Sequence, residues 1–331
     1  MKKLTFLFGI FACLTLQTNA QKKFTNELIW SSNVFNSEYL GGFNSMNDGE
    51  TYSDLKESDL NGLTIIKCSF ANGDTLGEIT NAKKIFKGTI SNFDNYTFNA
   101  DESMLLIETE SESIYRWSTA ANYYVHNLST GETAPIANFE KGKQRLATIS
   151  PDKKKVAFMR NNNIFIYDIA SKKEFQITFD GKTNSIINGA TDWVYEEEFG
   201  FDRGLYWNSD GTLLAYYKFN EESVPEFGMD IYGDLYPTNY KFKYPKAGEK
   251  NSDVSIHIYE LANNKSFLVE KTSAEFEYIP RIKWGKQPTQ LLIQKMNRHQ
   301  NHLVYELTRS IRAEGVDKWP TEVLMGEKSE T

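Results

Sequence analysis

Three consecutive carboxylates, Glu196, Glu197 and Glu198, stand in the stretch Asp192-Trp193-Val194-Tyr195-Glu196-Glu197-Glu198-Phe199-Gly200. Adjacent acids repel one another, and like charges in one site push a carboxyl pKa upward unless a cation is supplied. A bare run of this kind reads as a solvated acidic turn, since charge runs usually occupy exposed faces. The aromatic flank of Trp193, Tyr195, Phe199 and Phe201 argues for more, because a carboxylate beside apolar surface is costly unless it is paired. The chemistry on offer is capture of a cation. Two carboxylates converging on one ammonium would give charge-assisted hydrogen bonds worth about 1.5–3 kcal/mol each when sheltered from water.

Other chemistry is thinly represented. No Gly-x-Ser-x-Gly pentapeptide, the elbow that exposes a serine nucleophile, occurs in the chain. The histidines at 126, 257, 299 and 302 fall in strand or turn contexts, and His299 with His302 lacks the further ligands a metal site needs. No metal or cofactor is expected. Cys68 alternates with Ile66 and Phe70 in a strand-like run and reads as a buried structural thiol.

The elements that must position the acids are strands. Polar turns carrying Asp101, Asp152 and Asp210 each precede an apolar run: Met104-Leu105-Leu106-Ile107, Val156-Ala157-Phe158 and Leu213-Leu214-Ala215-Tyr216. A fourth, degenerate copy is Trp284-Gly285-Lys286-Gln287 before Leu291-Leu292-Ile293. Turns recurring at roughly 40–50 residues, with longer intervals marking insertions, are the sequence form of propeller blades. Within one interval, strands are expected at Lys155–Met159, Asn163–Ile169 and Glu174–Thr178. A short helix is expected only around Glu196–Arg203. The fold class is therefore all-β, a β-propeller of four-stranded antiparallel blades beginning near Asn44. Two segments leave the blade pattern: residues 181–203, which hold the acids, and residues 222–251, rich in Phe and Tyr.

The segment Gly189–Glu198, with Tyr244-Pro245-Lys246-Ala247-Gly248 downstream, closely resembles the dipeptidyl peptidase IV branch of the prolyl oligopeptidase family. The resemblance implies that a double Glu on a short helix projecting from the propeller holds the free α-amine of a substrate peptide. Matched residue by residue, the pair is Glu197 and Glu198, leaving Glu196 as an exposed acid that points elsewhere. Ser113–Tyr123 resembles the family strand whose arginine reaches the active-site cavity, and Arg116 is the matching residue. An ordinary strand arginine paired at a blade edge is the competing reading. The second excursion, Phe227–Tyr244, corresponds to an arm that reaches a neighbouring subunit, which makes a homodimer the expected assembly. A surface loop folded on its own propeller is the alternative there. The chain departs from the better-known animal members in lacking their propeller cysteines and in the composition of Phe199–Trp207, which bears on the neighbouring side-chain pocket.

The same resemblance implies that roughly the first four to five blades of an expected eight lie here. The Ser-Asp-His triad would lie in an α/β-hydrolase domain beyond residue 331, so this chain alone is expected to be inactive. Met1–Ala20 reads as a cleavable signal peptide, with Lys2 and Lys3 before an apolar Leu4–Leu16 and a small-residue Thr18-Asn19-Ala20 end. The apolar run is too short for a confident span, so no stable membrane anchor is expected and the protein is read as exported, periplasmic or secreted. Residues 21–43 would lead into the propeller. Loss of Cys13 with the signal leaves Cys68 alone, so stability must come from core burial rather than a disulfide. A formal net charge of −7 without a basic cluster argues against nucleic acid and anionic membrane surfaces.

Three functions fit these residues. One is the N-terminus-recognising, substrate-gating propeller of a serine exopeptidase that releases Xaa-Pro or Xaa-Ala dipeptides from peptides with a free N-terminus. The second is a prolyl tripeptidyl peptidase, which differs in how far the clamp stands from the nucleophile. The third is a non-catalytic propeller used for binding or assembly.

Overall fold

The computed structural model describes residues 23–36, 43–313 and 316–328, so the expected signal peptide at Met1–Ala20 lies outside the described residues. The chain divides into two compact units, Met1–Phe43 and Asn44–Thr331. Within the first, Asn26–Trp30 forms a short helix, α1, whose cap is Thr25 accepting from the Leu28 N–H. Among the described residues no helix is long and apolar enough to cross a membrane.

The second unit is a run of antiparallel sheets taken in chain order. Sheet I comprises Asn44–Ser45, Thr51–Lys56, Thr64–Ser69 and Thr75–Asn81; sheet II comprises Asn95–Phe98, Met104–Ser113, Thr119–Asn127 and Thr133–Pro135. A short helix, α2, Ala82–Phe86, lies between them in the chain. Sheet III comprises Arg145–Ile149, Lys155–Arg160, Asn163–Asp168 and Lys173–Gln176. Sheet IV is built on Leu213–Asn220, Asp253–Glu260 and Lys265–Lys271, and sheet V on Tyr278–Trp284, Gln290–Met296, His302–Arg309 and Thr321–Lys328. In sheets I, II, III and V each strand pairs with the next in sequence, the meander of a propeller blade.

The apolar runs follow from stacking. Successive side chains of a strand point to opposite faces. Leu105 and Ile107 accordingly join the core shared with sheet I, while Met104 and Leu106 join the core shared with sheet III. The next sheet repeats this: Val156 and Phe158 face sheet II, whereas Ala157 and Met159 enter the large core reaching through sheet IV to sheet V. A strand buried on both faces must be continuously apolar, which is what the sequence repeat records. Cys68 is buried, as its alternation implied.

The Asp-bearing turns all join the first strand of a sheet to its second. Asp101, Asp152 and Asp210 accept from the backbone N–H two residues on, at Ser103, Lys154 and Thr212, at 3.2, 3.2 and 3.0 Å. Two residues earlier, Asn99, Ser150 and Asn208 accept from the first N–H of the following strand at 2.8–3.0 Å. Such local side-chain acceptors stand in for a backbone turn. Asp48 does the same for sheet I, accepting from Glu50 at 3.0 Å, a copy the sequence repeat did not reveal. The degenerate copy at Trp284–Gln287 also sits between first and second strands, closed by Gly285 N–H to Gln290 O at 2.7 Å.

Sheet IV departs from this plan. Its first strand is split into Ile186–Asn188 and Leu205–Trp207, both paired with Leu213–Asn220. The ends of the gap are pinned together, with Gly204 N–H donating to Gly189 O at 2.9 Å, and Tyr217 bonding both glycines at 2.8 Å. A Cβ at Gly204 would lie 3.0 Å from the Gly189 carbonyl carbon, and Gly189 itself has φ +86° with Ile164 2.9 Å from its would-be Cβ. Positive φ favours glycine at 189 and close backbone favours it at 204. Between them the chain leaves the sheet and returns.

Candidate functional site

The excursion carries helix α3, Trp193–Glu198, rather than a helix over Glu196–Arg203. Asp192 fixes its start by accepting from the Tyr195 N–H at 3.0 Å, a cap that places the first turn three residues earlier than expected. The pairing of Thr191 N–H with Asp202 O at 3.1 Å then turns the chain home, which is why residues 199–203 are not helical. Asp192 also accepts from Ser252 Oγ at 2.6 Å, tying the excursion to the start of the third strand. Its carboxyl is buried and raised above the usual range by desolvation, an effect the Ser252 and Tyr195 hydrogen bonds oppose.

Tyr195 anchors the helix from below. It is 1% exposed, packs edge-on against Phe199, Phe201, Tyr217 and Phe219, and its hydroxyl accepts from the Ile279 N–H at 2.9 Å. With that ring fixed, the three following acids must fan out, since each residue of a helix turns about 100° from the last.

Each acid therefore meets a different environment. Glu196 is 1% exposed and one of its oxygens accepts from the Trp117 and Ser118 N–H groups, both at 2.9 Å. The expectation of an exposed acid there is corrected: the helix start at Trp193 turns Glu196 inward, against the backbone of sheet II. Glu197 pairs with Arg116 Nε at 3.0 Å. Glu198 is exposed.

Arg116 lies in the turn between Met104–Ser113 and Thr119–Asn127, not on a strand, because Ile114 N–H bonds Ser118 O at 2.8 Å and closes the loop before pairing resumes. Its side chain is 67% exposed against 17% for Glu197, so the pair is open to solvent from the arginine side. Arg145, half-buried, stands within electrostatic reach of Glu196 and Tyr115, and its buried Nε is unbonded. Burial draws its guanidinium pKa down, and the charges of Asp202 and Glu196 work against that.

The second excursion forms a hairpin, Glu226–Ile231 with Thr238–Lys243. Its root packs on its own chain: Phe242 is buried and lies 6.0 Å from Tyr115, and the Tyr244 ring lies tilted 4.3 Å from Trp193. Its tip is bare, with Tyr232, Leu235 and Tyr236 each 79–89% exposed. Root, turn and helix line an open cavity of about 820 Å³ whose walls include Arg116, Trp193, Glu197, Tyr244 and Lys246. All three stretches that carried the family resemblance converge on it. Glu198 and the four histidines are not on its walls.

Sequence reasoning missed the inward turn of Glu196, the buried Asp192–Ser252 pair and Arg145. For the first two the signal was present: Asp192 directly before an aromatic-acidic run is an N-cap pattern, and a cap there fixes the rotation of every later residue.

A family model described as the dipeptidyl peptidase IV N-terminal region matches residues 99–323. "Prolyl endopeptidase FAP" of Homo sapiens is 37% identical over 171 residues, 51% of this chain and 22% of that protein. "Dipeptidyl aminopeptidase B" of Saccharomyces cerevisiae is 30% identical over 275 residues, 81% of this chain and 30% of that protein. The crystal structure of Porphyromonas gingivalis dipeptidyl peptidase 4 superposes with a TM-score of 0.80 at 34% identity, covering 94% of this chain and 43% of that one. The chain thus spans less than half the length of each of these relatives. Both in sequence and in fold, it belongs to the dipeptidyl peptidase IV family as an N-terminal β-propeller region.

Proposed function

We propose that this chain is the N-terminus-recognising, substrate-gating propeller of an exported serine exopeptidase that releases Xaa-Pro or Xaa-Ala dipeptides. Glu197 and Glu198 take the substrate's α-ammonium, and Arg116 presents donors to its carbonyl region. The observation that carries the reading is the Arg116–Glu197 pair at 3.0 Å on the wall of the cavity, on a helix extruded from a split strand. The serine nucleophile, with its Asp and His, belongs to protein outside this chain.

The test compares Ala-Pro substrates with free and acetylated N-termini on the whole protein. An acetylated substrate brings no ammonium and leaves the acids unpaired, so it is cleaved very poorly. Glu197→Gln or Glu198→Gln each lowers kcat/KM for the free substrate by about 30- to 1000-fold, the equivalent of roughly 2–4 kcal/mol for a lost charged hydrogen bond. Equal cleavage of both substrates by the wild type would remove the clamp.

A further inference from the structure

Glu196 is the one buried acid of the triplet, at 1% exposure, and its surroundings are too specific for a bystander. A single oxygen, Oε1, accepts two backbone N–H groups at 2.9 Å, from Trp117 and Ser118, residues 79 and 78 positions away in sequence. The donors belong to the same turn that carries Arg116, and the acceptor belongs to the same helix that carries Glu197. A hydrogen bond from a buried amide to an ionised acceptor is among the stronger kinds, and an amide of this type without a partner is costly.

Besides these two bonds, the turn is held by Tyr115, which packs 6.0 Å from Phe242 of the arm, and by bonds of its own. Its internal bonds are Ile114 N–H to Ser118 O at 2.8 Å and the long Tyr115 N–H to Ser118 Oγ at 3.3 Å. Trp117 is 66% exposed and gives the turn no packed anchor. Arg116 is itself largely exposed, so its guanidinium cannot find Glu197 by burial alone.

We propose that Glu196 is a positioning residue: its carboxylate fastens the Trp117–Ser118 backbone to helix α3 and thereby sets Arg116 against Glu197 at the substrate site. The consecutive acids then have separate tasks, Glu196 holding the turn and Glu197 meeting the cation. This assignment rests on the amine-clamp reading above, and the experiment separates the two.

The whole protein is assayed with free and acetylated Ala-Pro substrates as wild type, Glu196→Gln, Glu196→Ala, Arg116→Ala, the Glu196→Ala/Arg116→Ala double variant and Glu197→Gln. A glutamine oxygen can accept both N–H groups, so Glu196→Gln stays within about 3-fold of wild type in KM. Glu196→Ala raises KM for the free substrate by roughly 10-fold or more with kcat little changed, as when an interaction equally strong in the ground and transition states is removed. Because Glu196 acts through the arginine, the double variant is no worse than Arg116→Ala alone by more than about 2-fold.

A merely structural role would lower the active fraction without moving KM, and its effect would multiply with that of Arg116→Ala. Either result, or a wild-type KM for Glu196→Ala, overturns the assignment. If Glu197→Gln is silent as well, the clamp itself is wrong; if Glu197→Gln is impaired and Glu196→Ala is not, only the positioning role falls. Should Glu196→Ala fail to fold, amide exchange in the wild type still decides: Trp117 and Ser118 N–H exchange slowly, and free exchange at both refutes the fastening.

Discussion

Sheets III and IV are neighbours with the same repeat turn and opposite uses of it. In sheet III the first strand, Arg145–Ile149, is unbroken, and its second and third strands are joined by Asn161 and Asn162 alone, both at positive φ as a tight hairpin turn requires. In sheet IV the first strand opens between Asn188 and Leu205 to extrude α3, and residues 221–252 replace the two-residue turn with the hairpin arm. The two excursions brace each other through Asp192–Ser252 and Trp193–Tyr244. The regular sheet is a wall, and the interrupted one presents side chains that no meander could place over a cavity. The candidate site sits where the repeat is broken, and the cost is polar burial.

That contrast can be attacked first from the regular side. Arg160 is 5% exposed, forks onto both oxygens of Glu174 at 3.0 and 2.9 Å, and lies over the Phe165 ring. Removing one partner of a buried pair typically costs 3–5 kcal/mol, so Arg160→Ala should lose about 3 kcal/mol, the low end, because Lys141 remains beside Glu174 at 3.2 Å. Denaturant melting reads the loss. Discrimination between free and acetylated substrates should not change; if it does, the division between wall and site is wrong.

The interrupted side should instead show its cost through pH. Glu221 sits at the root of the arm, 6% exposed, with its carboxyl pushed up to about 7 by burial first and by the Asp192 charge second, while Lys243 opposes both. In the unfolded chain the same group titrates near an ordinary glutamate value of about 4.3. Between those values the unfolded chain has released the proton and the folded chain holds it, so stability falls as pH rises through roughly 4.5 to 7 and is level above. Asp192, also raised, contributes with the same sign. Glu221→Gln cannot titrate, and its stability relative to wild type should rise by about 3 kcal/mol between pH 4.5 and pH 8. A pH-independent difference in melting between the two proteins would show that the excursions are not anchored on a protonated acid.

The same contrast explains what could be read in advance. Sheets announce themselves because Met104–Ile107 and Val156–Met159 are buried on both faces, a period-two pattern with no polar positions, each preceded by an Asp turn. Asp48 escapes the repeat because its strand, Thr51–Lys56, is polar and half-buried, so the turn has no apolar run to mark it. Glu197 and Arg116 were legible through their family motifs. What the triplet could not disclose was rotation: the direction of each acid depends on where the helix starts, and Asp192 as cap moved that start. The different partners of Glu196 and Glu197 are set in three dimensions, by a turn some 79 residues away in sequence.

The smallest expected effect on the fold lies at the arm's tip. Phe242 and Tyr244 hold the root of the hairpin on the chain's own turn and helix, so removing them would confuse unpacking with loss of assembly. The tip, residues 232–237, buries nothing: Tyr232 and Tyr236 are each 79% exposed and Leu235 is 89% exposed. Exposed aromatics and leucine gathered at the end of a projecting hairpin suit an interface, where Tyr and Phe are enriched. Replacing Tyr232–Pro237 with a short Asn-Gly turn should therefore change monomer stability by less than about 0.5 kcal/mol, as for surface substitutions generally. In the whole protein it should nevertheless convert a dimer to a monomer in sedimentation. A dimer that survives the trimming would mean that the arm serves only the cavity at its root, and that both excursions of sheet IV exist for the substrate alone.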